Sequence, residues 1–494
     1  MTVDSTTKPK KELILNILTN GTPSLAWGLW KHPDDYSREA RNIDFWVKLA
    51  KTAERGKLHG IFIADHLVYF NSYKDSWKPA VEKAVFSPRI STEIAVSAMA
   101  SVTKSLGFGI TFSTVSEHPY HFARRIASLD QLTGGRMGWN VVSSYLKDIG
   151  NQLLNGEPLP PHDDRYQRTQ EYLDALYELL LSSWRDDALK YDKESGIFAD
   201  PDLIRNINFK GEHFDIEGPS ITEPTVQRFP VIFQAGTSTK GKLFAAENAE
   251  FVFLNPLKGT MLSTITEIKE TAKNQFGRNP DSLKFITSAT VVLGKTTEEA
   301  KAKIEDYEKY LDKEAGLVVF SGYSGIDLDK YDWDEQVVVG DDINGGRSMS
   351  KAGSQRNGQA LTKRQILENA SKLNVIHGTA EEVADALEDI ALNQGVDGFN
   401  FITPVFPQGL DDIVDLLVPE LQKRGLFHRD YTRPGGTLRE NSYQEAGQNY
   451  LPDDHPAAAL RWDSSLTLEE FEAKLHQYKA KRDETRKTAH AAFP

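Results

Sequence analysis

The stretch that decides the fold is Leu106–Ser144, LGFGITFSTVSEHPYHFARRIASLDQLTGGRMGWNVVSS. Two short β-favouring runs, Leu106–Ser113 and Arg136–Val142, flank a helical segment, His118–Leu132. That is one βα unit followed by the strand of the next. The same unit recurs on both sides. Upstream, Leu13–Leu18 precedes Arg41–Lys57, where Ile43, Trp46, Leu49, Ala50 and Ala53 fall at helical spacing, and Gly60–Ala64 precedes Ile90–Lys104. Downstream, Arg136–Val142 is followed by Asp163–Trp184, Pro230–Gln234 by Lys240–Asn248, and Phe251–Leu254 by Thr260–Phe276. Phe285–Leu293 with Thr297–Glu314, and Gly398–Ile402 with Leu410–Arg424, bring the count to eight. Eight strands, each followed by a helix, predict an α/β fold, a (β/α)8 TIM barrel.

Two excursions interrupt the alternation, at about 183–228 and 318–374. The first holds a hairpin-like segment, Ile207–Ile216; the second has a turn-rich centre, Gly340–Gly358, and reads as a lid. Thr296 with Glu299 and Thr379 with Glu382 have capping-box spacing and mark two late helix starts. The barrel domain is expected over 13–438. A C-terminal extension, 439–494, ends in a charged helix from Leu468 to about Lys487 that is expected to pack on the barrel's outside or on a partner subunit.

Composition narrows the chemistry. The 494 residues contain no cysteine, which excludes thiol nucleophiles, thiolate-held zinc, iron–sulfur clusters and disulfides. With 58 Lys+Arg against 71 Asp+Glu, the net charge is −13, the wrong sign for nucleic-acid binding. No apolar run approaches the length of a membrane span, and Met1–Leu18 lacks a signal-peptide core, so a cytoplasmic protein without membrane contact is expected.

A barrel builds its active site from the loops beyond the C-terminal strand ends. That rule selects Asp65 and His66 after the second strand, Thr111 and Ser113 in the third, and Asn140, Ser143 and Ser144 in and after the fourth. The fourth loop adds His162, Arg165 and Tyr166; the fifth adds Gln234, Gly236, Thr237 and Ser238. In QAGTSTKG a strand ends, a glycine allows close approach, and two hydroxyls meet a helix N-terminus. This reads equally as a phosphate cradle or as an ordinary turn with a hydroxyl cap. His213 and Asp215 have the spacing of an iron-ligand pair, His118 and His121 beside Glu117 lie one helical turn apart, and Ser144 and Lys147 fit S-x-x-K, but none has its partner motif; no metal site is expected. Walker A, G-x-G-x-x-G, H-E-x-x-H and G-x-S-x-G motifs are absent.

The segments ERGKLHGIFIADHL, Leu106–Ser144, HDDRYQRTQEYLDALYELLLSSW, GIFADP, VIFQAGTSTKG and GVDGFNFITPVFPQGLDDIVDLLVPELQKRG together resemble the bacterial-luciferase-like flavin-dependent monooxygenases. The likeness is greatest to the branch of nitrilotriacetate, EDTA and dibenzothiophene-sulfone monooxygenases and spans roughly Leu13–Leu438. It implies a two-component enzyme that takes reduced FMN (FMNH2) from an NAD(P)H:flavin reductase, adds O2 to form a flavin C4a-(hydro)peroxide, and oxygenates a small organic substrate, with C–S or C–N cleavage in some members. A homo-oligomer is expected on the same ground. It makes Asp65, Thr111, His162, Tyr166 and Ser238 the FMN contacts, with Thr237 beside them, and sets Asn140 on the same face. His121 or His162 is a candidate to protonate the bound peroxide; His162 serves better as a phosphate or ribityl contact, which leaves His121 with Asn140 as the catalytic candidates.

Two departures concern the substrate. Relatives carry a histidine where this chain has Trp27, and the sulfone monooxygenase has one where this chain has Tyr323. Aromatic residues in the early loops, Trp27, Trp30, Tyr69, Phe70, Tyr73 and Trp77, point to an apolar or planar substrate unless they pack against the barrel rim. The alternatives are deazaflavin F420-dependent hydride transfer on the same fold, or a flavin-binding relative without catalysis.

Overall fold

The computed structural model describes residues 12–23, 27–255, 261–338, 355–356 and 359–492. Eight parallel strands form the barrel: β1 Ile14–Thr19, β2 Gly60–Ile63, β3 Gly107–Ser113, β4 Met137–Val142, β5 Val231–Gln234, β6 Phe251–Leu254, β7 Lys284–Leu293 and β8 Gly398–Ile402. Their order is β6-β5-β4-β3-β2-β1-β8-β7, and pairing of β6 with β7 closes the ring. Helices cover the outer face and side chains fill the inner one, so each strand reads as a nearly continuous apolar run.

The floor of the barrel is plugged at the point where the barrel segment passes into the C-terminal extension. Leu438 packs with Ile14, Phe62, Val231, Phe233, Phe251 and Ile286. Room for it comes from two glycines: a Cβ on Gly107 would lie 2.3 Å from the Leu438 side chain, and one on Gly138 would lie 3.1 Å from it. The next residue, Arg439, is fully buried and holds the equally buried Glu250 with hydrogen bonds of 2.7 and 2.9 Å. The chemistry is therefore left to the opposite end.

On the outside run α1 Ile43–Arg55, α2 Glu93–Ser101, α3 Pro119–Thr133, α4 His162–Tyr177, α5 Thr239–Asn248 and α6 Met261–Phe276. The helix expected over Thr297–Glu314 is two helices, α7 Thr297–Glu308 and α8 Lys313–Ser324. Asp312 starts the second: its carboxylate accepts the Ala315 N–H, and its own N–H donates to the Trp27 carbonyl at 2.9 Å. The expected second excursion thus begins inside α8, which packs on α9 Lys363–Asn369. Most of the turn-rich Gly340–Gly358 lies outside the described residues. A capping box at Thr379 and Glu382 opens α10 Ala380–Gln394, which leads into β8. In the first excursion, Phe209–Lys210 and Asp215–Ile216 pair antiparallel as the sequence suggests. The last helices are α11 Leu438–Tyr443 and α12 Leu468–Ala492. Of the two placements expected for α12, the structure has it on its own barrel, where Arg486 bridges Asp174 of α4 and Glu247 of α5.

Candidate active site

A cavity of about 670 Å3 opens at the C-terminal end of the barrel, and every strand or the residue just past it reaches the wall, from Leu18 and Phe62 through Thr111, Asn140, Gln234 and Phe253 to Thr290 and Ile402. The cavity is large enough for a cofactor and a small substrate together.

One side is polar and is built where β5 turns into α5. Ser238 caps α5, its hydroxyl accepting the Gly241 N–H at 3.1 Å. His162, in the first turn of α4, sets Nε2 3.2 Å from the Ser238 hydroxyl, while Nδ1 lies 2.6 Å from Asp163. The Tyr166 phenol, one turn on, hydrogen-bonds to Ser238 and Gln234; burial pushes its acidity well away from neutral pH, so it remains a donor. Gly236 makes this convergence possible, because a Cβ there would lie 2.2 Å from the Tyr166 hydroxyl and 2.5 Å from Gln234 Nε2. Thr237 lines the cavity in the same turn. The hydroxyl cap and the anion cradle offered by the sequence coexist here: Ser238 caps, and the first turn of α5 still faces the cavity with its dipole positive.

The strand ends continue the polar wall. Thr111 on β3 and Asn140 on β4 are register partners, which brings Asn140 Nδ2 2.9 Å from the Thr111 hydroxyl; that hydroxyl donates to the Ile63 carbonyl at 2.9 Å. Asn140 Oδ1 and Gln234 Oε1 are buried without a hydrogen-bond partner. Asp65 borders the cavity but is already engaged by Arg89, by the Thr92 hydroxyl at 3.2 Å and by the His66 N–H at 2.7 Å. Burial raises its carboxyl, and Arg89 opposes the rise.

The other side is aromatic. His66, Phe86, Tyr145, Tyr323 and Trp27 meet there from four separate segments. Of the six early-loop aromatics, only Trp27 lines the cavity; Phe70 and Tyr73 are buried in a neighbouring core, and Tyr69 and Trp77 are exposed. Phe86 was missed because it lies deep in the second loop, and Tyr145, next to the selected Ser144, because the strand-end rule looks for small polar groups rather than aromatic ones. Their signal is tertiary.

Other expected residues lie elsewhere. His121 sits on the exposed face of α3, outside the cavity lining, because the α3 face that packs inward is the one carrying Phe122, Ala123 and Ile126. Neighbouring Glu117 pairs with Arg125 at 3.2 Å. His213 and Asp215 lie on the exposed hairpin, and Lys147 reaches Asp75 on the surface. Among the described residues no group of three or more His, Cys, Asp or Glu could hold a metal ion, and no helix is long and apolar enough to cross a membrane.

Known proteins resemble this chain over most of its length. The family model described as luciferase-like monooxygenase matches residues 25–398. The chain is 40% identical to the long-chain alkane monooxygenase of Geobacillus thermodenitrificans over 445 residues, 89% of this chain and 96% of the relative. It is 36% identical to the dimethyl-sulfide monooxygenase of Hyphomicrobium sulfonivorans over 92% of this chain and 94% of the relative. A solved riboflavin lyase with modified FMN and substrate riboflavin superposes with a TM-score of 0.83 at 29% identity, covering 91% of this chain and all of that one.

Proposed function

The chain belongs to the luciferase-like monooxygenases, which are flavin-dependent, and from that premise we propose that it is the oxygenating component of a two-component system using reduced FMN. A separate NAD(P)H:flavin reductase supplies the flavin, which makes the cytoplasm the natural setting. The catalytic unit is 13–438, whose last residue plugs the barrel floor, with 439–494 as a C-terminal extension.

The observation that carries this reading is the polar side of the cavity, where a helix N-terminus and three side chains converge beside orphaned amide oxygens. The residues fit FMN. Ser238, Thr237, Tyr166 and His162 would hold the phosphate at the α5 N-terminus. Asn140 Oδ1 and Gln234 Oε1 lack donors, and the flavin ring carries an N–H donor at its polar edge. Thr111 and Asn140 would face that edge, Asp65 the rim, and Leu18, Phe62, Val141 and Phe253 supply an apolar wall for the ring. Bound reduced flavin supplies the activation of O2, and the chain's task is to bind it, exclude water and orient the substrate. Asn140 is the strand-end group we assign to orientation at the reacting face.

Anaerobic titration with reduced FMN tests the reading. Micromolar or tighter binding is expected, weakened in Ser238→Ala and Tyr166→Phe. With a flavin reductase and NADH, 18O from 18O2 should appear in an oxygenated product. No binding of reduced FMN, or binding indifferent to both substitutions, would refute the assignment.

A further inference from the structure

Charge as well as packing fixes α12 on its own barrel. Lys479, Arg482 and Arg486 follow one another at helical spacing, one stripe of α12, and meet the buried carboxylates of Glu178, Asp174 and Glu247. The Lys479 ammonium lies 2.6 Å from Glu178, just past the end of α4, and an Arg482 nitrogen lies 3.5 Å from Asp174. Arg486 does more than pair. Its Nη2 donates to Asp174 at 2.8 Å and its Nε to Glu247 at 2.7 Å, so one planar fork spans α4 and α5.

These are the two helices whose N-termini build the polar side of the cavity. Along α4, His162, Tyr166, Gln170 and Asp174 stand about one turn apart. Every one of these turns is tied across to α5. His162 and Tyr166 reach Ser238, Gln170 accepts from Asn248 Nδ2 at 2.8 Å, and Asp174 is joined to Glu247 through Arg486. Gln170 also donates to Asp174 at 3.2 Å, which links the last two rungs. The ladder is therefore continuous from the guanidinium to the Tyr166 phenol, about 12 Å along α4. Without the guanidinium its lowest rung changes sign: two buried carboxylates that shared one cation would face each other. Burial already raises the Glu247 carboxyl; Arg486 opposes the rise and Asp174 adds to it. Phe471 and Leu475, in the main core, and the buried Ala489 anchor α12 independently of the fork.

We propose that α12 is a clasp on the flavin site, in which Arg486 is a positioning residue that holds α4 against α5 and so keeps His162, Tyr166 and Ser238 at the spacing a phosphate needs. This deepens the flavin reading above and rests on it. The clasp acts on the phosphate end of the flavin and leaves the ring end alone.

Anaerobic titration of the full chain with reduced FMN and with reduced riboflavin, which lacks the phosphate, separates the two ends. In Arg486→Met the preference for FMN over riboflavin should fall at least about twofold, and up to about 30-fold, with riboflavin affinity unchanged. Asp174→Asn with Glu247→Gln in the Arg486→Met background removes the repulsion and should restore the preference. Leu438→Ala, at the far end of the barrel, is the control for stability: it should lower the unfolding temperature and leave the preference as it is. The clasp is overturned by a preference in Arg486→Met within about twofold of wild type, by equal losses for the two flavins, by a matching loss in Leu438→Ala, or by failure of the two amides to restore it. A wild type that binds FMN no better than riboflavin refutes the phosphate cradle itself, an outcome distinct from failure of the clasp.

Discussion

Gly236→Ala is a one-carbon test of the anion cradle. The added Cβ would sit 2.2 Å from the Tyr166 hydroxyl and 2.5 Å from Gln234 Nε2, about 1 Å inside any tolerable contact. Tyr166 must retreat, and with it go its hydrogen bonds to Ser238 and Gln234. Two neutral hydrogen bonds at roughly 0.5–1.5 kcal/mol each give about 1–3 kcal/mol, or roughly 5- to 150-fold in Kd for reduced FMN. Anaerobic fluorescence titration reads the affinity, with thermal unfolding as the control on folding. A double-mutant cycle sharpens the test. In Tyr166→Phe the clashing oxygen is gone, so adding Gly236→Ala should cost much less there than in the wild type, a coupling of 1 kcal/mol or more. A wild-type Kd for Gly236→Ala, or strictly additive losses in the cycle, would refute the reasoning that glycine is there to admit the phenol.

Three further outcomes are expected. Leu438→Ala should destabilise the protein by about 2–5 kcal/mol in chemical denaturation, because the barrel floor is rigid around the plug and cannot collapse. Arg439→Met should cost about 3–5 kcal/mol by leaving Glu250 buried and uncompensated, and Glu250→Gln in that background should recover much of it. His66 has a folded value near 3 against an ordinary 6.5, so its neutral form stabilises the fold fully above pH 6.5 and that contribution drains as pH falls towards 3. Between pH 7 and pH 5 the wild type should therefore lose about 2 kcal/mol more than His66→Phe, measured by urea denaturation at the two pH values.

The barrel was legible because its signals are local. Leu106–Ser144 carries strand, helix and strand within one crossover, and all eight strands fall where short apolar runs precede helical segments. The turn after β5 was legible only as two hydroxyls at a helix start, and the fold decided that Ser238 is the one that caps α5. The break at Asp312 was not legible, since the carbonyl that receives its N–H belongs to Trp27, far back in the chain. Nor was the position of His121 outside the cavity lining, which depends on which face of α3 packs inward.

By itself, then, the sequence determined the eight βα units and the strand-end polar residues, each written in spacing and residue type over a few turns of chain. Tertiary structure alone decided that Leu438 plugs the floor, that Asn140 meets Thr111 across β3 and β4, and that Trp27, His66, Phe86, Tyr145 and Tyr323 form one wall. The physical reason is convergence: strand register and close packing bring together residues up to some three hundred positions apart, and no local pattern records where a distant segment will arrive.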